Sequence, residues 1–176
     1  MILNDFNIGQ LNIRCYPDPI LRQPAQPVQE ISSEIVALVD RMTDLMLEAN
    51  GIGLAAPQLG VPLQVVILSL TGKGEHVETF INPELDGFEG DSEVEEGCLS
   101  LPGVRGLVRR PAICRVSAQD LEGSRFVMDM VELGATAVQH ETDHLQGKLF
   151  IDRLSTISRM ACRKVLKQLE QQYSPR

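Results

Sequence analysis

Leu133-Gly134-Ala135-Thr136-Ala137-Val138-Gln139-His140-Glu141-Thr142-Asp143-His144-Leu145-Gln146 reads as a helix with no wet side. Leu133, Ala137, His140 and His144 share one face, and Val138 and Leu145 lie on another. Apolar residues on more than one side demand burial, so the other elements must pack around this helix. Gly147 is placed to end it in a left-handed turn. Inside it, His140-Glu141-Thr142-Asp143-His144 spell H-E-x-x-H. Positions i and i+4 sit one turn apart with Cβ atoms roughly 5–6 Å from each other, so two imidazoles reach one metal ion. Glu141, rotated by about 100° around the axis, is better placed to hydrogen-bond a water on that metal than to ligate it. At ordinary residue frequencies the pattern arises by chance in roughly one chain of this length in a few hundred. Two of the three histidines of the chain are spent here, which favours the metal.

The flanking sequence supplies what packs around the helix. Upstream, Pro17, Pro19, Pro24 and Pro27 exclude a long helix before about Gln29, and this stretch reads as an extended arm. From Ser32, Ile35, Leu38, Val39, Met42, Leu45, Met46 and Ala49 follow helical spacing. Ser32 or Ser33 can cap that helix, and Asn50-Gly51 supplies a left-handed stop. Leu63 to Leu70 is apolar and partly β-branched, as in a buried strand, and Lys73-Gly74 suggests a turn into a second strand over Val77–Ile81. Asp86 to Gly97 is acidic and glycine-punctuated, which predicts an exposed strand or loop. Ala112, Cys114, Val116 and Ala118 alternate with Ile113, Arg115 and Ser117, and Leu121-Glu122-Gly123-Ser124 connects that strand to Arg125–Val131 as a hairpin. A final helix from about Ser155 to Gln172 carries Ile157, Ala161, Val165 and Leu169 along one stripe. Strands adjacent in sequence favour antiparallel pairing, hence an α+β fold with antiparallel or mixed sheets around the buried helix and one helix towards each end.

With 176 residues, 43% hydrophobic and 23% charged, the composition is that of a soluble globular protein, and residues 1–176 read as a single domain. No apolar run reaches the length of a membrane span, and Met1-Ile2-Leu3-Asn4-Asp5 lacks the basic start of a secretory signal. The four cysteines, Cys15, Cys98, Cys114 and Cys162, are scattered without a CxxC pair, which fits reduced thiols in a reducing compartment. Net charge is −8, yet residues 153–176 hold six of the sixteen basic residues and a single acid, Glu170. A basic terminal helix on an acidic body has the charge to meet phosphate backbones without reading their sequence; a solvated helix face is the competing reading.

A catalytic metal site needs a third protein ligand. Where H-E-x-x-H-x-x-G-x-x-H proteases place a third histidine, this chain has Phe150. The only acids after His144 are Asp152 and Glu170, so an acidic third ligand, as in other H-E-x-x-H peptidases, is hard to place but remains the alternative. Among the cysteines, Cys114 reads as a small buried hydrophobe on a strand, and Cys162 and Cys15 lie among basic residues. Cys98, in Glu95-Glu96-Gly97-Cys98-Leu99-Ser100, has a polar, glycine-flanked setting. Beside the two histidines it leads over the reading of an inert strand thiol, and would complete a set of one thiolate and two neutral imidazoles.

Three segments together resemble the peptide deformylase family: Gly51-Ile52-Gly53-Leu54-Ala55-Ala56-Pro57-Gln58, Glu96-Gly97-Cys98-Leu99-Ser100, and Gln139-His140-Glu141-Thr142-Asp143-His144-Leu145-Gln146-Gly147. Tyr16-Pro17-Asp18-Pro19-Ile20-Leu21-Arg22 is similar to the family's N-terminal segment, and residues 1–11 stand before its usual start as an extension. The resemblance implies a hydrolase that removes the formyl group from the N-terminal formylmethionine of newly made peptides and releases formate. It implies Cys98, His140 and His144 as ligands of one divalent metal, Fe²⁺ in the family's native form, with Zn²⁺, Ni²⁺ or Co²⁺ as alternatives in purified protein. Water on that metal would attack the formyl carbon, with Glu141 taking its proton and passing it to the departing amine. Gln58 and the Leu99 backbone N–H would stabilise the oxygen, and Gly53 and Gly97 would pair with the peptide as an added strand. Ile52, Leu133, Ala137 and His140 are implied as the methionine pocket, and Arg105 as a neighbour of the peptide's path. Asp143 and Gln139 flank the ligands and would orient them, with a solvated helix face as the competing reading for Asp143; Arg109-Arg110 departs from the family's usual Pro-Arg and would add charge near the peptide's exit. The resemblance further implies contact between the basic helix at 155–172 and the ribosome, and a bacterial cytoplasmic setting with an organelle as the alternative.

Overall fold

The apolar periodicity after Ser32 does form a helix, α1, Ser33–Glu48, burying Ile35, Leu38, Val39, Met42, Leu45 and Met46. The computed structural model describes residues 6–71 and 76–174, so the expected Lys73-Gly74 turn lies outside the described residues. Ser32 stands at the N-cap but its side chain makes no capping bond. The left-handed residue that stops the helix is Asn50 (φ 53°), not Gly51. Upstream, the described residues of the arm form two short 3₁₀ turns, Ile8–Gln10 and Pro19–Arg22.

Among the described residues seven strands follow: β1 Gly53–Ala55, β2 Val65–Leu68, β3 Glu78–Glu89, β4 Ser92–Gly97, β5 Arg105–Arg110, β6 Ile113–Gln119 and β7 Arg125–Val131. Five form one sheet in the order β1-β2-β3-β6-β7, and β4-β5 is a separate two-stranded ribbon. Every pair of named strands is antiparallel; among the described residues the single parallel element is an isolated bridge between Gln26 and Leu63. Between β6 and β7, Asp120 Oδ1 accepts from the backbone N–H groups of Glu122 and Ser124, and Gly123 takes φ 81°.

Helix α2, Glu132–Leu145, buries every residue from Gly134 to Leu145, as a stretch without a polar side requires. Its Ala135, Ala137, Val138 and Leu145 pack on Val66, Leu68, Phe80, Cys114 and Val116 of the five-stranded sheet. The chain then turns through Gly147 (φ 68°), whose backbone presses so closely on the Arg22 carbonyl that no Cβ fits. Helix α3, Thr156–Gln172, is capped by Ser155, whose hydroxyl accepts from the Ser158 N–H at 3.1 Å. With Leu101, Val104, Val108 and the Leu149–Ile151 turn it closes a further core cluster. The architecture is α+β, with the sheets packed about a buried helix.

Two expectations change. The buried stripe of α3 is Cys162 and Leu166, not Ile157 and Ala161. Ile157 is 82% exposed, because Cys162 and Leu166 on the adjacent helix face are the residues that join Leu101, Val104 and Leu154 in the core. The second strand does not stop at Ile81: β3 continues to Glu89, its register shifting between Ile81 and Glu84 and again between Asp86 and Glu89. Bulges keep such a strand paired after its alternation has lapsed. Strand β5, with the polar sequence RGLVRR, and the three-residue β1 carry too little apolar alternation to be read as strands. Both are made by their partners, β4 and β2.

Candidate active site

H-E-x-x-H works here as spacing on a helix should. His140 and His144 stand one turn apart on α2 with ring centroids 5.1 Å apart, and His140 also stacks on Phe150 at 6.1 Å. Cys98 follows directly on β4, and its Sγ lies 3.3 Å from His144 Nε2. The ligand atoms of Cys98, His140 and His144 all lie within 4.8 Å of one another, the one such cluster of three or more among the described residues. A soft thiolate with two imidazoles fits a borderline or soft dication. Burial first, and the charge of His140 second, drive His144 well below the usual histidine range, so its ring is neutral and its lone pair available. Burial pulls His140 down, but hydrogen bonds with Cys98 and Glu96 outweigh it and lift this ring well above that range. Asp152 and Glu170, the acids available to a peptidase-like site, are engaged with Arg22 and Tyr16 instead.

Glu141 points elsewhere, as its rotation on the helix dictates. It is buried, and its Oε2 has no hydrogen-bond partner among the described residues. Burial pushes its carboxyl up to about 7; a dication at the Cys98–His140–His144 corner would draw it back down. Gly53 on β1 leaves the room Glu141 occupies: a Cβ there would stand 2.6 Å from Glu141 Oε1 and 2.8 Å from Leu68 Cδ2. Gly53→Ala is therefore expected to displace the carboxylate. Because a misplacement near 1 Å can cost about 10²-fold, kcat should fall by that order with metal content unchanged, as activity and metal assays on one preparation would show.

Gln58 sits on the 3₁₀ turn Ala56–Leu59 after β1. Its Oε1 accepts from the Ala55 N–H at 2.8 Å, which orients the amide. Its Nε2 then stands 3.1 Å from Ser100 Oγ and 3.5 Å from Cys98 Sγ. A cleft of about 630 Å³ runs past these groups. Ile52, Gly53, Gly97, Leu99, Arg105, Leu133 and Ala137 all line it, together with Gln58, Cys98, His140 and Glu141. Arg105 stands at the rim, 3.9 Å from Glu95, and Leu133 is 54% exposed. The structure thus brings together every residue singled out as ligand, base or pocket wall, with His144 buried behind.

A second group of residues was invisible to motif reading. Glu96, expected on an exposed acidic stretch, is buried, and its Oε2 is 2.8 Å from His140 Nδ1. Arg110, expected at the peptide's exit, is buried instead, bonding Glu96 through Nε at 2.5 Å and Nη2 at 2.9 Å, and Asp143 through Nη1 at 2.8 Å. Arg109 remains outside, 3.5 Å from Glu93. Asp143 therefore connects to His140 through Arg110 and Glu96, and Gln139 donates to the Pro111 carbonyl and, within α2, to the Ala135 carbonyl. Burial works against the ionised forms, but the Arg110 guanidinium holds Glu96 below the usual carboxylate range; Arg153 and Arg110 do the same for Asp143. One signal was available: period-two alternation puts Glu96 on the side of Val94 and Arg110 on the side of Val108.

The family described as polypeptide deformylase matches residues 10–160. A peptide deformylase of Acidobacterium capsulatum is 48% identical over 155 residues, 86% of this chain and 91% of that protein. Among solved structures, a plant peptide deformylase superposes with a TM-score of 0.90 at 37% identity, covering 93% of this chain and 91% of its own. A peptide deformylase from Legionella pneumophila does so with a TM-score of 0.86 at 38% identity, covering 94% and 99%.

Proposed function

This chain belongs to the polypeptide deformylase family, and from that premise we propose how its residues divide the work of a metal-dependent hydrolase that removes the formyl group from N-formylated nascent peptides. Cys98, His140 and His144 would hold the metal, a reading that rests on their ligand atoms lying within 4.8 Å of one another at the cleft. When bound, the dication supplies Lewis acidity and lowers the pKa of a coordinated water. Glu141, with its unpartnered Oε2, takes the proton of the attacking water and returns it to the departing amine. The Gln58 Nε2 and the Leu99 N–H donate to the formyl oxygen as its negative charge grows. Ile52, Leu133 and Ala137 receive the methionine side chain, Gly53 and Gly97 offer backbone for an added strand, and Arg105 meets the peptide beyond its first residue.

Replacing Cys98 by serine tests the ligand set. Without the thiolate, metal content and deformylation of a formyl-Met peptide should both be lost. A serine variant retaining both would remove Cys98 from the site.

Fe²⁺ is the proposed metal by family resemblance. The same donors suit Zn²⁺, Ni²⁺ and Co²⁺, so metal analysis of anaerobically purified protein decides. No helix among the described residues is long and apolar enough to cross a membrane, and a cytoplasmic setting is the proposed one. The exposed Arg163, Lys164 and Lys167 of α3 support a salt-sensitive contact with ribosomal RNA, which cosedimentation at low salt checks.

A further inference from the structure

Outside the cleft, one exposed side chain is wired to a proposed metal ligand. Arg153 follows the 3₁₀ turn Phe150–Asp152, and its side chain is 42% exposed. It clamps Asp143 with both branches of its guanidinium, Nε to Oδ2 and Nη2 to Oδ1, each at 2.6 Å. Asp143 Oδ2 is shared with Arg110 Nη1 at 2.8 Å; Arg110 grips Glu96 at two points, and Glu96 Oε2 meets His140 Nδ1 at 2.8 Å. Charge alternates along the series, and the side chains of Asp143, Arg110 and Glu96 are at most 5% exposed. Arg153 is the single member that solvent reaches freely.

We propose that Arg153 is a positioning residue for the metal centre, fixing the plane and tautomer of His140 through Asp143, Arg110 and Glu96. This rests on the reading of His140 as a ligand. A ligating histidine is oriented by the acceptor on its other nitrogen, here Glu96. Glu96 is held by Arg110, and Arg110 on its far side by Asp143. Without Arg153, Asp143 loses two of its three charge-assisted hydrogen bonds and the series is left one positive charge short in a buried place. Arg153 and Asp143 also form part of the wall of a second cleft, of about 550 Å³, on another face of α2. Removing the Arg153 side chain opens Asp143 to water there, and a hydrated carboxylate no longer dictates where Arg110 lies.

The test uses zinc-loaded protein and reads metal release rather than turnover. Arg153→Met should release zinc to excess chelator about 10-fold faster or more, within the 10–100-fold span of such outer partners. The His140 Nδ1–H resonance should exchange faster with solvent, and Arg153→Lys, which keeps one charged donor, should fall between parent and Arg153→Met. Arg22→Met is the control, because Arg22 pairs with Asp152, the residue just before Arg153, with similar exposure and no bond into the series. It should release zinc like the parent. Release from Arg153→Met within twofold of the parent, or equal acceleration in Arg22→Met, would overturn the proposal. If instead His140 proves not to bind metal, His140→Ala will retain zinc, which separates failure of the ligand assignment from failure of the positioning role.

Discussion

Glu141→Ala is expected to lower kcat on a formyl-Met peptide by roughly 10²–10⁴-fold, the span of a positioned general base, while the metal stays bound. The two properties separate because Glu141 shares the helix turn with His140 and His144 but not their direction. Its Oε2 is buried without a partner among the described residues, and burial has pushed the group up to about 7. Its removal breaks no hydrogen bond at Oε2, so the melting temperature should stay close to the parent's. Loss of activity with metal content and melting temperature maintained is the pattern of a chemical role. Activity within a few-fold of the parent would assign the proton transfer to another group.

Arg110→Met is expected to be the most destabilising substitution discussed here, by about 3–5 kcal/mol, the usual cost of removing one partner from a buried ion pair. Arg110 is 1% exposed and holds two buried carboxylates, Glu96 and Asp143. Methionine fills similar space but leaves Glu96 with only His140 to bond. The pH dependence should change sign with it. In the parent, Glu96 and Asp143 are held below ordinary carboxylate values, so the stability they contribute is present above the unfolded values of about 4 and lost as pH falls through the lower folded ones. In the variant, burial dominates at Glu96 and raises its pKa above the unfolded value. Proton uptake then favours the folded state, and the deficit should be largest near pH 7 and shrink towards pH 5. Urea melts of both proteins across that range measure it; a deficit that is flat with pH would show that Arg110 matters through packing alone.

The helices were legible to within a residue or two because their apolar positions recur every three or four residues, a property of short stretches. So were β6 and β7, where alternation and the Leu121-Glu122-Gly123-Ser124 connection coincide. The buried stripe of α3 was misjudged because two adjacent faces carry apolar residues, and only the Leu101–Val104–Leu154 surroundings choose between them. Strand β5 was missed because four of its six residues are Arg or Gly; its hydrogen bonds with β4 make it a strand. Glu96 and Arg110 looked like solvated charge because each carries a charge among charged neighbours. Alternation sets each on the side of a valine, but their burial depends on finding one another across the β4-β5 ribbon.

By itself the sequence determined a buried helix carrying two imidazoles and a carboxylate. Helical geometry over five residues places those groups whatever surrounds them, and the motif resemblance extended that to a third ligand and a substrate class. Tertiary structure decided how the histidines are held. Cys98 is brought within 3.3 Å of His144 across 46 positions of chain, and Gly53 on β1 yields the space that Glu141 fills. A line of alternating charges from Arg153 to Glu96 fastens His140 from behind. Local spacing sets direction around an axis, whereas burial and pairing of charge depend on which distant residues the folded chain sets side by side.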